Sequence, residues 1–112
     1  MTPTPGLVLL PSAVADLQDN FLYLGRHNRA RALLFARSLQ RALTHLAQSP
    51  LVGSPRSYAH PHLHSIRRWP VPDFEQYGIF YRAFASGNGI EVFRVLHSSR
   101  DVELLLQESL EP

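Results

Sequence analysis

The chain has 112 residues, 45% hydrophobic and 18% charged. That composition predicts a single domain over residues 1–112, with about two thirds of the unfolded surface buried on folding and no need of a metal or disulfide staple. It holds no cysteine, so disulfides are excluded and the redox compartment stays open, and all 11 of its Lys+Arg positions are arginine, for a net charge of +2. Lysine chemistry is thereby excluded, while planar guanidinium forks suited to carboxylates and phosphates are plentiful.

No apolar run nears the ~20 residues of a membrane span, so no membrane association is expected. Leu7 to Leu10 followed by Ala13-Val14-Ala15 imitates a signal peptide, but no cation precedes it and Pro3, Pro5 and Pro11 bracket a stretch too short for an h-region. A cytoplasmic location is expected.

Gly6 to Leu10 predicts a strand stopped by Pro11. Ser12 is the candidate N-cap of a first helix over Ser12 to Leu24, where Val14, Leu17, Phe21 and Leu24 keep helical spacing. After the stop at Gly25-Arg26-His27-Asn28, a second helix runs through Ala32, Phe35, Leu39, Leu43 and Leu46 to about Gln48. So short a connector implies an antiparallel helical hairpin. Leu51 to His64, rich in Pro and Gly, predicts an irregular surface loop. Ile66 to Val71, Tyr77 to Phe84 and Ile90 to His97 predict an antiparallel meander, with a hairpin turn at Ser86-Gly87-Asn88-Gly89 and a bulge or free edge at Pro70 and Pro72. Ser98-Ser99-Arg100-Asp101 resembles a capping box opening a last short helix, and Leu110-Glu111-Pro112 should fray. The expected class is α+β: an N-terminal strand, a helical hairpin packed on a curved antiparallel sheet, and a short C-terminal helix.

Four constellations bear on chemistry. His60, His62 and His64 alternate, so on an extended segment three imidazoles would face one zinc, yet nothing nearby completes a ligand set and solvated loop histidines are the expectation. Arg37 and Arg41 lie one turn apart on the polar side of helix two, a solvated face or a basic patch for a partner. Arg67, Arg68, Arg82, Arg94 and Arg100 cluster in the strand region, Arg67 and Arg68 on opposite faces. Arg94 shares parity with Ile90, Val92 and Leu96, which predicts a buried or half-buried guanidinium that either pairs within the fold, with Asp101 or Asp73 as candidates, or faces a ligand. His97, beside Arg100 and Asp101, is a candidate general acid or base for phosphodiester cleavage but lacks an evident second catalytic group. The aromatics of the strands read as core, with Tyr81 beside Arg82 the pair to watch.

Pro50-Leu51-Val52-Gly53, Ile66-Arg67-Arg68-Trp69-Pro70-Val71, Tyr77-Gly78-Ile79-Phe80-Tyr81-Arg82 and Ile90 to His97 followed by Ser98-Ser99-Arg100-Asp101 together resemble the RelE/ParE superfamily of bacterial type II toxins, and its ParE branch in particular. The likeness runs from about Val8 to Leu106 and includes the element order. It implies a toxin neutralised by a cognate ParD-like antitoxin, with DNA gyrase as target, no bond broken by the toxin and no cofactor. Operator DNA would be bound by the antitoxin, not by this chain alone. RelE-like relatives instead cleave mRNA on the ribosome with a basic cluster and a C-terminal tyrosine. Here Gly78 stands where such enzymes carry a catalytic arginine, and no tyrosine follows in the last helix, which favours the ParE-like reading. The alternatives are a ribosome-dependent endonuclease using Arg67, Arg68, Arg82, His97 and Arg100, or an inactive antitoxin-binding homologue. On the leading reading, Arg37, Arg41, Arg67, Arg68, Arg82 and Arg100 are the partner-binding candidates, and no metal site is expected.

Overall fold

The computed structural model describes residues 4–110 and is α+β. In chain order it forms β1 (Leu7–Leu9), α1 (Pro11–Gly25), α2 (Arg29–Gln48), β2 (Ser54–Pro55), a 3₁₀ turn (Pro61–Leu63), β3 (Arg67–Val71), β4 (Phe74–Ala83), β5 (Ile90–His97) and α3 (Val102–Ser109). The mixed sheet has the order β1-β5-β4-β3-β2, with β1 parallel to β5 and all other neighbours antiparallel. No helix among the described residues is long and apolar enough to cross a membrane.

Two cores lie on the two faces of this sheet. The hairpin buries Ala13, Phe35, Leu39, Leu43 and Leu46 against Val71, Tyr77, Ile79, Tyr81, Val92 and Val95. Phe35 meets Phe74 and Tyr77 edge to face, with ring centroids 5.2 and 5.0 Å apart, an arrangement that adds to area burial. On the opposite face, Leu106 of α3 and Leu63 and Ile66 of the preceding loop cover Phe80, Phe93 and Leu96. The predicted surface loop is therefore only partly superficial: it contributes β2, the 3₁₀ turn and the fully buried Leu63, and Ile66, expected to open a strand, is buried just ahead of β3.

Several local expectations change for identifiable reasons. Leu10, not Ser12, is the N-cap of α1, because Pro11 is suited to the first helical position. Strand β4 begins at Phe74, three residues earlier than expected. Pro72 and Asp73 form a two-residue turn that pairs Val71 with Phe74, Asp73 adopting φ 67° in the left-handed region. The expected irregularity at Pro70 is present as a register shift at Pro70/Val71. Asp101, not Ser98, caps α3, accepting from the Leu104 amide at 3.3 Å. Leu110 is the C-cap of α3; Glu111 and Pro112, expected to fray, lie outside the described residues.

Arg94 departs most from its prediction. Phe80 pairs with Arg94 but Tyr81 with Val92, so Phe93 is an extra residue and the strand parity reverses across it. Arg94 thus leaves the hairpin face of Ile90 and Val92. Its partner is neither Asp101 nor Asp73 but Asp16 of α1: Nε donates to Oδ2 at 2.7 Å and Nη2 to Oδ1 at 2.8 Å, while Nη1 donates to the Leu105 carbonyl at 3.0 Å. Asp16 Oδ2 also accepts from the Val95 amide at 3.0 Å. Burial alone would depress a guanidinium, yet the hydrogen bond to Asp16 dominates and raises the Arg94 pKa further.

Candidate functional site

The arginines of the strand region separate into two groups along β4 and β5. At one end Arg82 stands opposite Glu91, and Nη2 donates to Glu91 Oε1 at 2.6 Å with the guanidinium 5.2 Å from the Phe93 ring centroid. Arg67 and Arg82 line a shallow depression with Leu51 and His64. Arg67 is itself engaged, since Nη1 donates to the Leu51 carbonyl at 3.0 Å and to the Gly53 carbonyl at 2.8 Å. Arg68 projects to the opposite face and donates from Nη2 to the Glu75 carbonyl at 3.0 Å.

These tethers explain two glycines. Tyr81 is fully buried; its hydroxyl accepts from the Gly53 amide and donates to the Pro50 carbonyl, both at 2.8 Å. A Cβ at Gly53 would lie 2.7 Å from the Tyr81 ring, so the Pro50 to Gly53 string serves as the seat of this phenol. Burial raises the Tyr81 pKa, against the lowering effects of the Gly53 hydrogen bond and of Arg67. At Gly78 a Cβ would come within 2.6 Å of Arg68 Nε, so the Arg68 guanidinium lies in the space a larger residue at 78 would need.

At the other end His97 stands opposite Tyr77 on β4, its ring edge-on at 5.0 Å. Nδ1 accepts from the Ser99 amide at 3.0 Å and lies 2.9 Å from Ser99 Oγ; Nε2 lies 2.9 Å from Gln76 Oε1. An amide donor at Nδ1 requires the neutral tautomer protonated on Nε2, with Gln76 Oε1 as acceptor. Both ring nitrogens are therefore occupied. Arg100 is exposed and shares with His97 a cleft of about 620 Å³ between the end of α1, the start of α2 and the ends of β4 and β5. From Arg82 to Tyr77, which stands opposite His97, β4 advances roughly 17 Å, which parts Arg82, and Arg67 opposite Tyr81, from His97 and Arg100; Arg68 reaches back along the sheet to Gly78 and the Glu75 carbonyl, but on the face away from Tyr77 and His97.

Arg37 and Arg41 are exposed on α2, as expected from its period, on a hairpin that also exposes Phe21, Leu22, Leu33 and Leu34. The premise of a three-histidine zinc site fails, because Pro61–Leu63 is a 3₁₀ turn instead of an extended run, and His60 Nδ1 accepts the His62 amide at 3.1 Å. Among the described residues no group of three or more His, Cys, Asp or Glu is placed to hold a metal.

With this geometry in hand, the family model "ParE toxin of type II toxin-antitoxin system, parDE" matches residues 7–102. The chain belongs to the ParE toxin family. A solved chain described as "Chromosomal ParDE TA system from P. aeruginosa" has the same fold, with TM-score 0.65 and 18% identity over 84% of this chain and 96% of that one. No curated protein matches the sequence.

In this ParE-family toxin, sequence reading missed the cleft as a unit. Tyr23 and Arg26 fall at the first helix end and Arg31 at the start of the second, while Gln76 and Tyr77 come from the middle of the chain. The available signal was polar residues crowded around a helix stop at Gly25, which reads as a turn before it reads as a rim. Tyr77 sits against this rim, its pKa raised by burial first and by Tyr23 second, against a lowering effect of Arg31.

Proposed function

We propose that this ParE-family chain acts in the cytoplasm as a toxin held inactive by a ParD-like antitoxin, and that it inhibits DNA gyrase by surface contact without breaking a bond itself. The observation supporting a contact mechanism is the roughly 17 Å that separates Arg82 from His97 along the sheet. General acid–base cleavage of a phosphodiester needs a proton-transfer group and a charge stabiliser within hydrogen-bond reach of one substrate position. Here the one strand histidine has both nitrogens committed to Ser99 and Gln76, and Arg67, Arg68 and Arg82 are tied to two backbone segments and a carboxylate.

The partner surface in this reading is the hairpin. Exposed Leu33 and Leu34 beside Arg37 and Arg41 present apolar area with positive charge, which suits an amphipathic acidic segment of the antitoxin. Arg67, Arg68, Arg82 and Arg100 are the candidates for target contact.

The test is a gyrase assay with purified protein, supercoiled plasmid and ATP. Stabilised double-strand cleavage or lost supercoiling, absent with heat-denatured protein, is the expected result. Ribosome-dependent mRNA cleavage that His97→Ala or Arg100→Ala abolishes, with folding and antitoxin binding intact, would overturn it.

A further inference from the structure

The cleft at the end of β5 has a composition that the sheet's packing does not use. Arg26 and Arg100 are exposed on its rim, and Arg31 joins them with its guanidinium held 4.6 Å from the Phe74 ring centroid. Among the described residues none of the three has a carboxylate within 4.0 Å, since the ion pairs found there involve Arg82 and Arg94. Asp19, on the same rim, offsets one of these three charges and leaves the cleft cationic. Guanidinium forks free of internal partners and converging on one concavity are suited to phosphate oxygens.

The remaining lining is not that of a simple anion patch. Tyr23 and Tyr77 contribute aromatic surface, Tyr23 being more than half exposed. Two amide side chains are each fixed at one end only. Asn20 donates from Nδ2 to the Val95 carbonyl at 3.0 Å, which leaves Oδ1 as an acceptor, whereas Gln76 Oε1 serves His97 at 2.9 Å, which leaves its NH₂ as a donor. A fixed acceptor, a fixed donor and an aromatic face match the edge and plane of a nucleobase, and a volume of about 620 Å³ accommodates a base, a sugar and a phosphate.

We propose that this cleft binds a phosphorylated nucleoside, with its phosphate on Arg26, Arg31 and Arg100 and its base stacked on Tyr23 between Asn20 and Gln76. An acidic peptide would satisfy the arginines but leave the amide pair and the aromatic face without a matching partner, so the nucleotide is the better fit. The inference stands apart from the gyrase reading, and either can fail alone.

Isothermal titration of the full chain with AMP, GMP, CMP and UMP, and with adenosine and inorganic phosphate as half-ligands, tests it. Saturable binding of at least one monophosphate is expected, with its nucleoside and phosphate each at least tenfold weaker. Arg26→Ala and Arg100→Ala, both on exposed positions, should each weaken that monophosphate about tenfold or more, and inorganic phosphate with it, while leaving adenosine little changed and thermal unfolding unaltered. Tyr23→Ala should weaken all four monophosphates by a similar factor and leave inorganic phosphate little changed, because stacking is tolerant of base identity. A 5′-phosphorylated tetranucleotide distinguishes a free nucleotide from the end of a strand, and tighter binding of either one supports the site. No saturation by any monophosphate in the millimolar range, equal affinity for inorganic phosphate, or saturable binding of an aspartate-rich peptide where no monophosphate binds would overturn it.

Discussion

Asp16 and Arg94 show what one residue pair decides in this fold. Their side chains are 7% and 12% exposed, and between them they join α1, β5 and α3 through bonds to each other, to the Val95 amide and to the Leu105 carbonyl. Removing either partner strands the other charge in a poorly solvated site, so Asp16→Ala or Arg94→Ala should each cost about 3–5 kcal/mol, read as a lowered urea midpoint. An apolar replacement of both together should recover much of that loss. Tyr81 is a second single-residue determinant. Tyr81→Phe leaves the buried Gly53 amide without its acceptor and should cost about 1–3 kcal/mol. Because burial raises the Tyr81 and Tyr77 phenols above the usual 10.0, the folded state keeps protons that the unfolded chain releases. Stability is then fully present below pH 10 and falls as pH rises from there through the raised values. Urea midpoints measured between pH 8 and 11 should show that fall, and it should be shallower in Tyr81→Phe.

At the scale of elements, period-3.6 patterns were sufficient to place both long helices and the last helix, each of which buries one side on the sheet, and β-branched and aromatic runs bounded by turn residues placed the meander, whose central strands are buried on both faces. They were insufficient where one residue changes the count. The extra Phe93 reverses the parity of β5, and with it the environment inferred for Arg94, and a bulge leaves no mark in a run of β-branched and aromatic residues. The partner of Arg94 was equally hidden. Asp16 lies 78 positions away in sequence, and Ser12, Asp16 and Asn20, one turn apart on α1, hydrogen-bond to Phe93, Val95 and Val95. Strand β1 ends at Leu9, paired with Val92, and this polar stripe takes over the open edge of β5 beyond it. Element α3 has a comparable sealing role on the other face. Leu106 is fully buried over Phe80, Phe93 and Leu96, so Leu106→Ala should cost about 2–5 kcal/mol by thermal or chemical unfolding and weaken the packing of the Leu63 loop with it.

Across the whole molecule, 11 arginines against 9 acidic residues give a small net charge but a divided one. Family membership was readable from strings that turn out to be structural: Pro50 to Gly53 seats Tyr81, and Gly78 makes room for Arg68. The cationic surfaces, by contrast, are assembled from distant segments and depend on which acids stay unpaired with them. Arg37 and Arg41 have no carboxylate within 4.0 Å among the described residues and lie beside exposed Leu33 and Leu34. If an acidic antitoxin segment docks there, affinity combines an apolar contribution that salt hardly weakens with an exposed ionic one that it screens, the Debye length shrinking from about 10 Å at 0.1 M to about 3 Å at 1 M. Antitoxin affinity should therefore fall with salt and then level off. Arg37→Glu with Arg41→Glu should weaken binding most at low salt, chiefly by slowing association, and the variant and parent curves should converge at high salt. Leu33→Ala with Leu34→Ala should instead lower affinity by a similar factor at every salt concentration. Parallel curves for the arginine variant would place the antitoxin's acidic contacts elsewhere on the toxin.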